Sequence, residues 1–134
     1  MSKWDWVAFR DLYDRPSKNG LMAPSKVRGT GPLLVNMREI FAFDRISHQE
    51  MERAPLSGKD PQAWLLESGD LLFARQSLTL AGAGKVSIVL DVAEPMTFES
   101  HIIRVRLNRS KADPNFYYYL FRSSLGRTLI DSIV

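Results

Sequence analysis

Few side chains in this chain could do chemistry, and their spacing tests each of them. Gly82, Gly84 and Lys85, in the run LAGAGKVS, have the composition of a phosphate cradle. A nucleotide-binding loop of the Walker type needs another glycine at a fixed place upstream and a Ser or Thr directly after the lysine. Those places hold Thr79 and Val86. The loop also runs into a strand-like segment, whereas a phosphate loop opens a helix whose amides point at the anion. The nucleotide cradle fails on both counts. What remains is a glycine-hinged connection carrying Arg75, Gln76, Ser77, Thr79 and Lys85, side chains with hydrogen-bonding ends on a flexible support.

The other candidates fare no better. DPNF (Asp113 to Phe116) is close to the D-P-P-[YF] element with which amino-methyltransferases grip a target amine. Asn115 replaces the second proline, however, and no glycine-rich loop for a methyl donor precedes it. A helix start explains the run better: Asp113 caps, and Pro114 takes the first helical position, where its missing N–H costs nothing. No Asp or Glu stands two places before a lysine, as a PD-(D/E)xK nuclease requires. The H-E-x-x-H, G-x-S-x-G and S-x-x-K patterns are also missing. His48 lies in a charged segment. His101 follows Ser100 beside an apolar strand face and reads as a half-buried, satisfied histidine. Glu50 and Glu52 sit in polar sequence and read as solvated charge. The chain has no cysteine, which rules out disulfides and cysteine-based zinc sites, and two histidines are a poor basis for any other. No catalysis, metal or cofactor is expected.

The frame around these side chains is partly legible. The 134 residues fit one domain. With 45% apolar and 25% charged residues the composition is globular. The net charge of +3 permits a nucleic-acid partner without demanding one. Acidic residues gather between Asp44 and Asp70, and both flanks of that stretch are basic. No apolar run is long enough to span a bilayer, and the start MSKWDW is too polar for a secretory signal. A soluble, cytoplasmic protein without membrane contact is therefore expected.

Along the chain, WDWVAFRDLYD predicts a short strand or an irregular start, and Arg15 to Pro32 a long loop of the functional or mobile kind. LLVNMREIF (Leu33 to Phe41) has strand content, with a helix as the alternative. From Asp44 to Gly69 the residues Pro55, Gly58 and Pro61 predict a short helix plus turns. DLLFA reads as a strand buried on both faces. KVSIVLDV alternates, with Val86, Ile88, Leu90 and Val92 on one side. SHIIRVRLN alternates too: His101, Ile103, Val105 and Leu107 share one face, and Ile102, Arg104 and Arg106 the other. That second face is expected to be open, its arginines either solvated or touching phosphate. A helix then starts at Asp113, packs through Tyr117, Leu120, Phe121, Ser124 and Leu125, ends at Gly126 and resumes in RTLIDSIV. The expected fold class is α/β (α+β): a twisted mixed or antiparallel sheet with flanking helices and long polar loops on one face, forming one domain over 1–134.

Four segments together resemble the target recognition domain of a type I restriction-modification specificity subunit. They are WVAFRDLYD…NGL, LESGDLLFARQS…GAGKVSIVL, FESHIIRVRLN and DPNFYYYLFRSSLGRTLIDSI. SGDLLFARQS, a Gly-Asp turn, a buried strand and a polar Arg-x-Ser exit, is the most family-like, and the four span nearly the whole chain. The resemblance implies a DNA-reading module without catalysis of its own. In that family a specificity subunit carries two such domains, each reading half of a split sequence. Helices between and after them form a coiled-coil spacer and dock the methyltransferase subunits, and the restriction subunit is a further chain. This sequence offers one domain, with no heptad spacer and no second domain, so an N-terminal half-subunit domain is expected.

The physical chemistry of the residues is compatible with that role. Phosphate contacts set affinity and register, and side chains at base edges set sequence preference. Arg75 and Gln76 leave a buried strand side by side and supply the guanine- and adenine-reading types, with Ser77 and Lys85 on the same loop. Asn36 and Arg38 alternate on an expected strand and extend that surface. Lys18, Lys26 and Arg28 suit phosphate neutralisation, and Arg104 and Arg106 point the same way. The expected partners are double-stranded DNA and the methyltransferase and restriction subunits, with self-association through the apolar C-terminal end (Leu129, Ile130, Ile133, Val134) a further option. The alternative is an interaction module, or degenerate specificity-subunit fragment, that binds methyltransferase or other specificity subunits without reading DNA. A small hydrolase built around His101 ranks last.

Overall fold

The computed structural model describes residues 9–47, 49–74 and 85–123. Its frame is a five-stranded mixed sheet with strand order β1-β8-β5-β6-β3. The strands are β1 (Lys18–Asn19), β3 (Arg45–Ile46), β5 (Leu71–Ala74), β6 (Val86–Val89) and β8 (Ile102–Val105). β5 runs antiparallel to β6 and β8, β1 antiparallel to β8, and β3 parallel to β6. A second sheet holds β4 (Glu52–Arg53), β2 (Leu33–Val35) and β7 (Met96–Phe98), with β2 parallel to β7. The mixed α/β class expected from sequence is what is observed, with two sheets in place of one.

β5 shows why the sheet sits where it does. All four of its residues are buried, and they alternate between two cores. Leu72 and Ala74 join Val89, Ile102 and the second sheet's Leu33, Val35, Met96 and Phe98. Leu71 and Phe73 join Val86, Ile88, Val105, Tyr118 and Phe121 under the C-terminal helix. Both faces of the central sheet are therefore covered, which is what an unbroken apolar run in a strand requires. Only the strand ends remain to present polar groups. Gly69, in the turn two residues before β5, takes φ +93°, a left-handed conformation that favours glycine.

Three helices complete the layers. α1 (Met37–Ala42) begins at Asn36, whose backbone N–H donates to Glu39 Oε1 at 2.8 Å. α2 (Pro61–Trp64) is capped by Asp60, which accepts from the Gln62 N–H. α3 (Pro114–Arg122) is capped by Asp113, which accepts from the Asn115 N–H, with Pro114 at its start as expected. Its packing face is Pro114, Tyr118 and Phe121, with Tyr117 half-buried against the same core. The expected face was centred one residue earlier, and its Ser124 and Leu125 lie outside the described residues, as do Gly126 and RTLIDSIV. The N-terminal residues Phe9–Leu12 form a 3-10 turn where a short strand or irregular start was expected.

Two expectations are corrected. Asn36 and Arg38 do not alternate on a strand, because the strand stops at Val35 and Asn36 starts α1. The face carrying Ile102, Arg104 and Arg106 is not open. Arg104 is 1% and Arg106 7% exposed, since the second sheet and the α2 region cover that side. The alternation itself is right; what sequence hides is that both sides of the strand have a roof.

Candidate nucleic-acid interface

The buried arginines are structural groups. Arg106 lies just past β8 and grips Asp70, just before β5, through Nε–Oδ1 at 2.7 Å and Nη2–Oδ2 at 2.8 Å. It also donates to Glu67 Oε2 at 3.0 Å and to the Leu65 carbonyl. Burial alone would push its pKa down, but the hydrogen bonds and charge of Asp70, with Glu67 behind, leave it raised. Arg104 donates to the Ala63 carbonyl at 2.9 Å, while its Nε has no hydrogen-bond partner among the described residues. Burial, then the nearby Arg106, lowers its pKa. Neither guanidinium can reach a duplex.

Three cations gather at one end of the central sheet. There β5 ends at Ala74 and β6 resumes at Lys85–Val86, the two held together by the Ala74 N–H donating to the Lys85 carbonyl. The loop candidates Arg75, Gln76 and Ser77 fall in 75–84, outside the described residues. Lys85 lies at the foot of that segment and donates from Nζ to Asp44 Oδ1 at 2.6 Å. Arg122, in the last turn of α3, meets the other oxygen of Asp44 at 3.0 Å. Arg45 follows Asp44 in sequence and donates to the Tyr119 hydroxyl at 2.6 Å. The rings of Tyr118 and Tyr119 brace Arg45, and Arg122 lies over Tyr118 with its carbon 5.4 Å from the ring centre. Two cations thus pair with one carboxylate, and Arg45 stands beside it. The Lys85 hydrogen bond, aided by all three positive charges, holds the Asp44 pKa below its ordinary value, so it stays ionised and the cluster keeps an excess of two positive charges.

Sequence reasoning had Lys85 but missed Arg45 and Arg122. Arg122 had a usable signal, four residues after Tyr118 in the last turn of a helix whose start was recognised. Arg45 had none, because only the β3–β6 pairing brings it to this edge.

The remaining candidates are scattered. Arg28 donates to Glu52 Oε1 at 3.1 Å and to the Ala23 carbonyl, and Asn36 donates to the same Glu52 oxygen at 3.3 Å. This pair is drawn together by a carboxylate read from sequence as solvated charge, and its polar ends are engaged. Arg38, 72% exposed, touches Glu39 Oε2 through Nε. Lys26 stands exposed on the 3-10 turn Ser25–Val27, with no ion pair among the described residues. Lys18 lies on the edge strand farthest from β3, its ammonium 3.9 Å above the Trp64 ring. His101 is exposed and contacts Glu99 Oε2 through Nδ1 at 2.8 Å. His48 lies outside the described residues. Among the described residues no three His, Asp or Glu side chains converge as a metal site, and no helix is long and apolar enough to cross a membrane.

No family profile matches this sequence. No curated protein matches it either. The fold does have a solved counterpart, a chain from a structure described as "Structural basis underlying complex assembly and conformational transition of the type I R-M system". The two superpose with a TM-score of 0.63 at 15% identity, over 97% of this chain and 29% of that one. This chain therefore spans under a third of its neighbour's length, and its fold is related to that of a component of a type I R-M system.

Proposed function

We propose that this domain recognises a double-stranded DNA sequence as a target recognition module of a type I restriction-modification assembly, without bond-making chemistry of its own. The observation that carries this reading is the fold likeness along 97% of the chain to a type I R-M component. The cation cluster supplies a place for it. Lys85, Arg45 and Arg122 stand at the foot of the segment bearing Arg75, Gln76 and Ser77, on a sheet whose faces are both occupied by core. The cluster neutralises phosphates and sets register, while the loop reads base edges. Lys26 and Arg38 add exposed charge, and Arg28 and Asn36 hold the loop and α1 in place through Glu52. Methyltransferase and restriction subunits are the proposed protein partners, and they supply the chemistry.

The test is binding to a duplex enriched from a random pool, measured at several salt concentrations. Arg75→Ala with Gln76→Ala abolishes the preference for the enriched sequence and leaves binding to random duplex largely intact. Lys85→Ala with Arg45→Ala weakens both and lowers the salt slope by about two phosphate contacts' worth. Wild-type protein that shows no salt-dependent binding to any duplex refutes the reading and favours an interaction module instead.

A further inference from the structure

The cations are not the only unusual feature near Asp44 in the chain. α1 buries Glu39 and Ile40 and half-buries Met37, so its outer face consists of Arg38, Phe41 and Ala42, spaced i, i+3, i+4. Phe41 is 61% exposed, and Phe43, at the helix's C-terminal end, is 41% exposed. Neither ring makes an aromatic contact with the described residues, whereas the aromatic residues near α3 do so repeatedly. The rings are tied to the cation cluster through the backbone. The Phe43 carbonyl accepts from Ser87 Oγ at 2.6 Å, Ser87 is two residues past Lys85, and Asp44 follows Phe43 directly.

From this placement we infer that Phe41, with Ala42 beside it, is a sequence-determining contact that reads a thymine through its C5-methyl group in the major groove. The inference rests on the DNA-recognition reading above. A duplex edge offers few apolar groups, and the thymine methyl is the one a phenylalanine or alanine side chain meets there. The surroundings fit that occupant. Arg38 on the same helix face and the cluster beyond Phe43 are positively charged, as flanking phosphates require. The centre of a protein–protein contact, by contrast, is depleted of charge. A short helix tied to β6 through Ser87 also holds the ring on a rigid support.

Replacing thymine by deoxyuridine removes the methyl group and leaves every hydrogen-bonding group of the base pair unchanged, so it isolates this contact. With the enriched duplex, one thymine-to-deoxyuridine change is expected to weaken wild-type binding about fourfold, the worth of one buried methyl-sized group. Phe41→Ala is expected to bind the thymine duplex with a similar loss and to show no further loss with deoxyuridine. Phe41→Leu, which keeps an apolar end, retains part of the discrimination. Phe41 is exposed, so the variants should fold, and equal melting temperatures confirm it. Selective binding that is indifferent to deoxyuridine at every thymine overturns the inference. So does an enriched target without a fixed thymine, or an equal deoxyuridine penalty in wild type and Phe41→Ala. In each of these results the DNA reading stands. Absence of duplex binding by the wild type instead removes the reading and the inference together.

Discussion

Substituting Asp70 tests whether the Arg106 pair is a structural clamp. In Asp70→Asn the pair keeps its shape and loses its negative charge. The side chains are 1% and 8% exposed, and two hydrogen bonds of 2.7 and 2.8 Å join them. Removing one partner of a buried pair costs about 3–5 kcal/mol, because the other charge stays buried without its counterion. Arg106 keeps Glu67 Oε2 at 3.0 Å and the Leu65 carbonyl at 3.2 Å, which places the loss at the lower end, about 3 kcal/mol. For a domain of this size that corresponds to a melting point lower by roughly 12 °C. Urea unfolding followed by circular dichroism measures it, with an unchanged slope marking a pure stability change. A buried pair is weakly screened, so the loss is the same in low and high salt. A loss under about 1 kcal/mol, or one that disappears in high salt, refutes the clamp and returns Arg106 to the surface.

Asp44→Asn leaves Lys85 and Arg122 without their shared anion and Arg45 without a neighbouring negative charge, and we expect tighter binding to random duplex with a steeper salt slope, read by fluorescence anisotropy. The Asp44 pKa is depressed in the folded state, so any stability it lends is present above its unfolded value of about 3.9. That stability is lost as pH falls through the lower folded value, so wild type and Asp44→Asn should converge in acid denaturation below that point. Arg104→Met should change stability by less than about 1.5 kcal/mol in either direction, since it trades one carbonyl bond for removal of a buried charge lacking a close carboxylate; urea unfolding beside Asp70→Asn exposes the contrast. Gly20→Ala should lower the melting temperature sharply, because a Cβ there would run into the backbone of Phe98 and Glu99.

The local chemistry of this chain was easier to read than its assembly. Asp113 and Pro114 announced α3, and the run from Asp70 to Ala74 announced a strand with two covered faces, because caps and apolar runs act within a few residues. Arg104 and Arg106 were misread because alternation tells which side chains share a face but not whether that face is roofed. The roof comes from Ala63, Leu65 and Glu67, about forty positions away. Arg45 shows the same limit from the other direction. Its place beside Arg122 and Lys85 depends on a parallel pairing between β3 and β6 that no local pattern encodes. Lys85 was found for its loop chemistry, and its partner Asp44 was passed over as one charge in an acidic stretch.

The hydrogen bond between the Ala74 amide and the Lys85 carbonyl closes a ring in the chain. Outside that ring, Ala74 belongs to the core on one face of the sheet and Val86 to the core on the other. Lys85 is therefore fixed at both ends, its carbonyl on β5 and its ammonium on Asp44, so the strand junction and the charged cluster can only shift together.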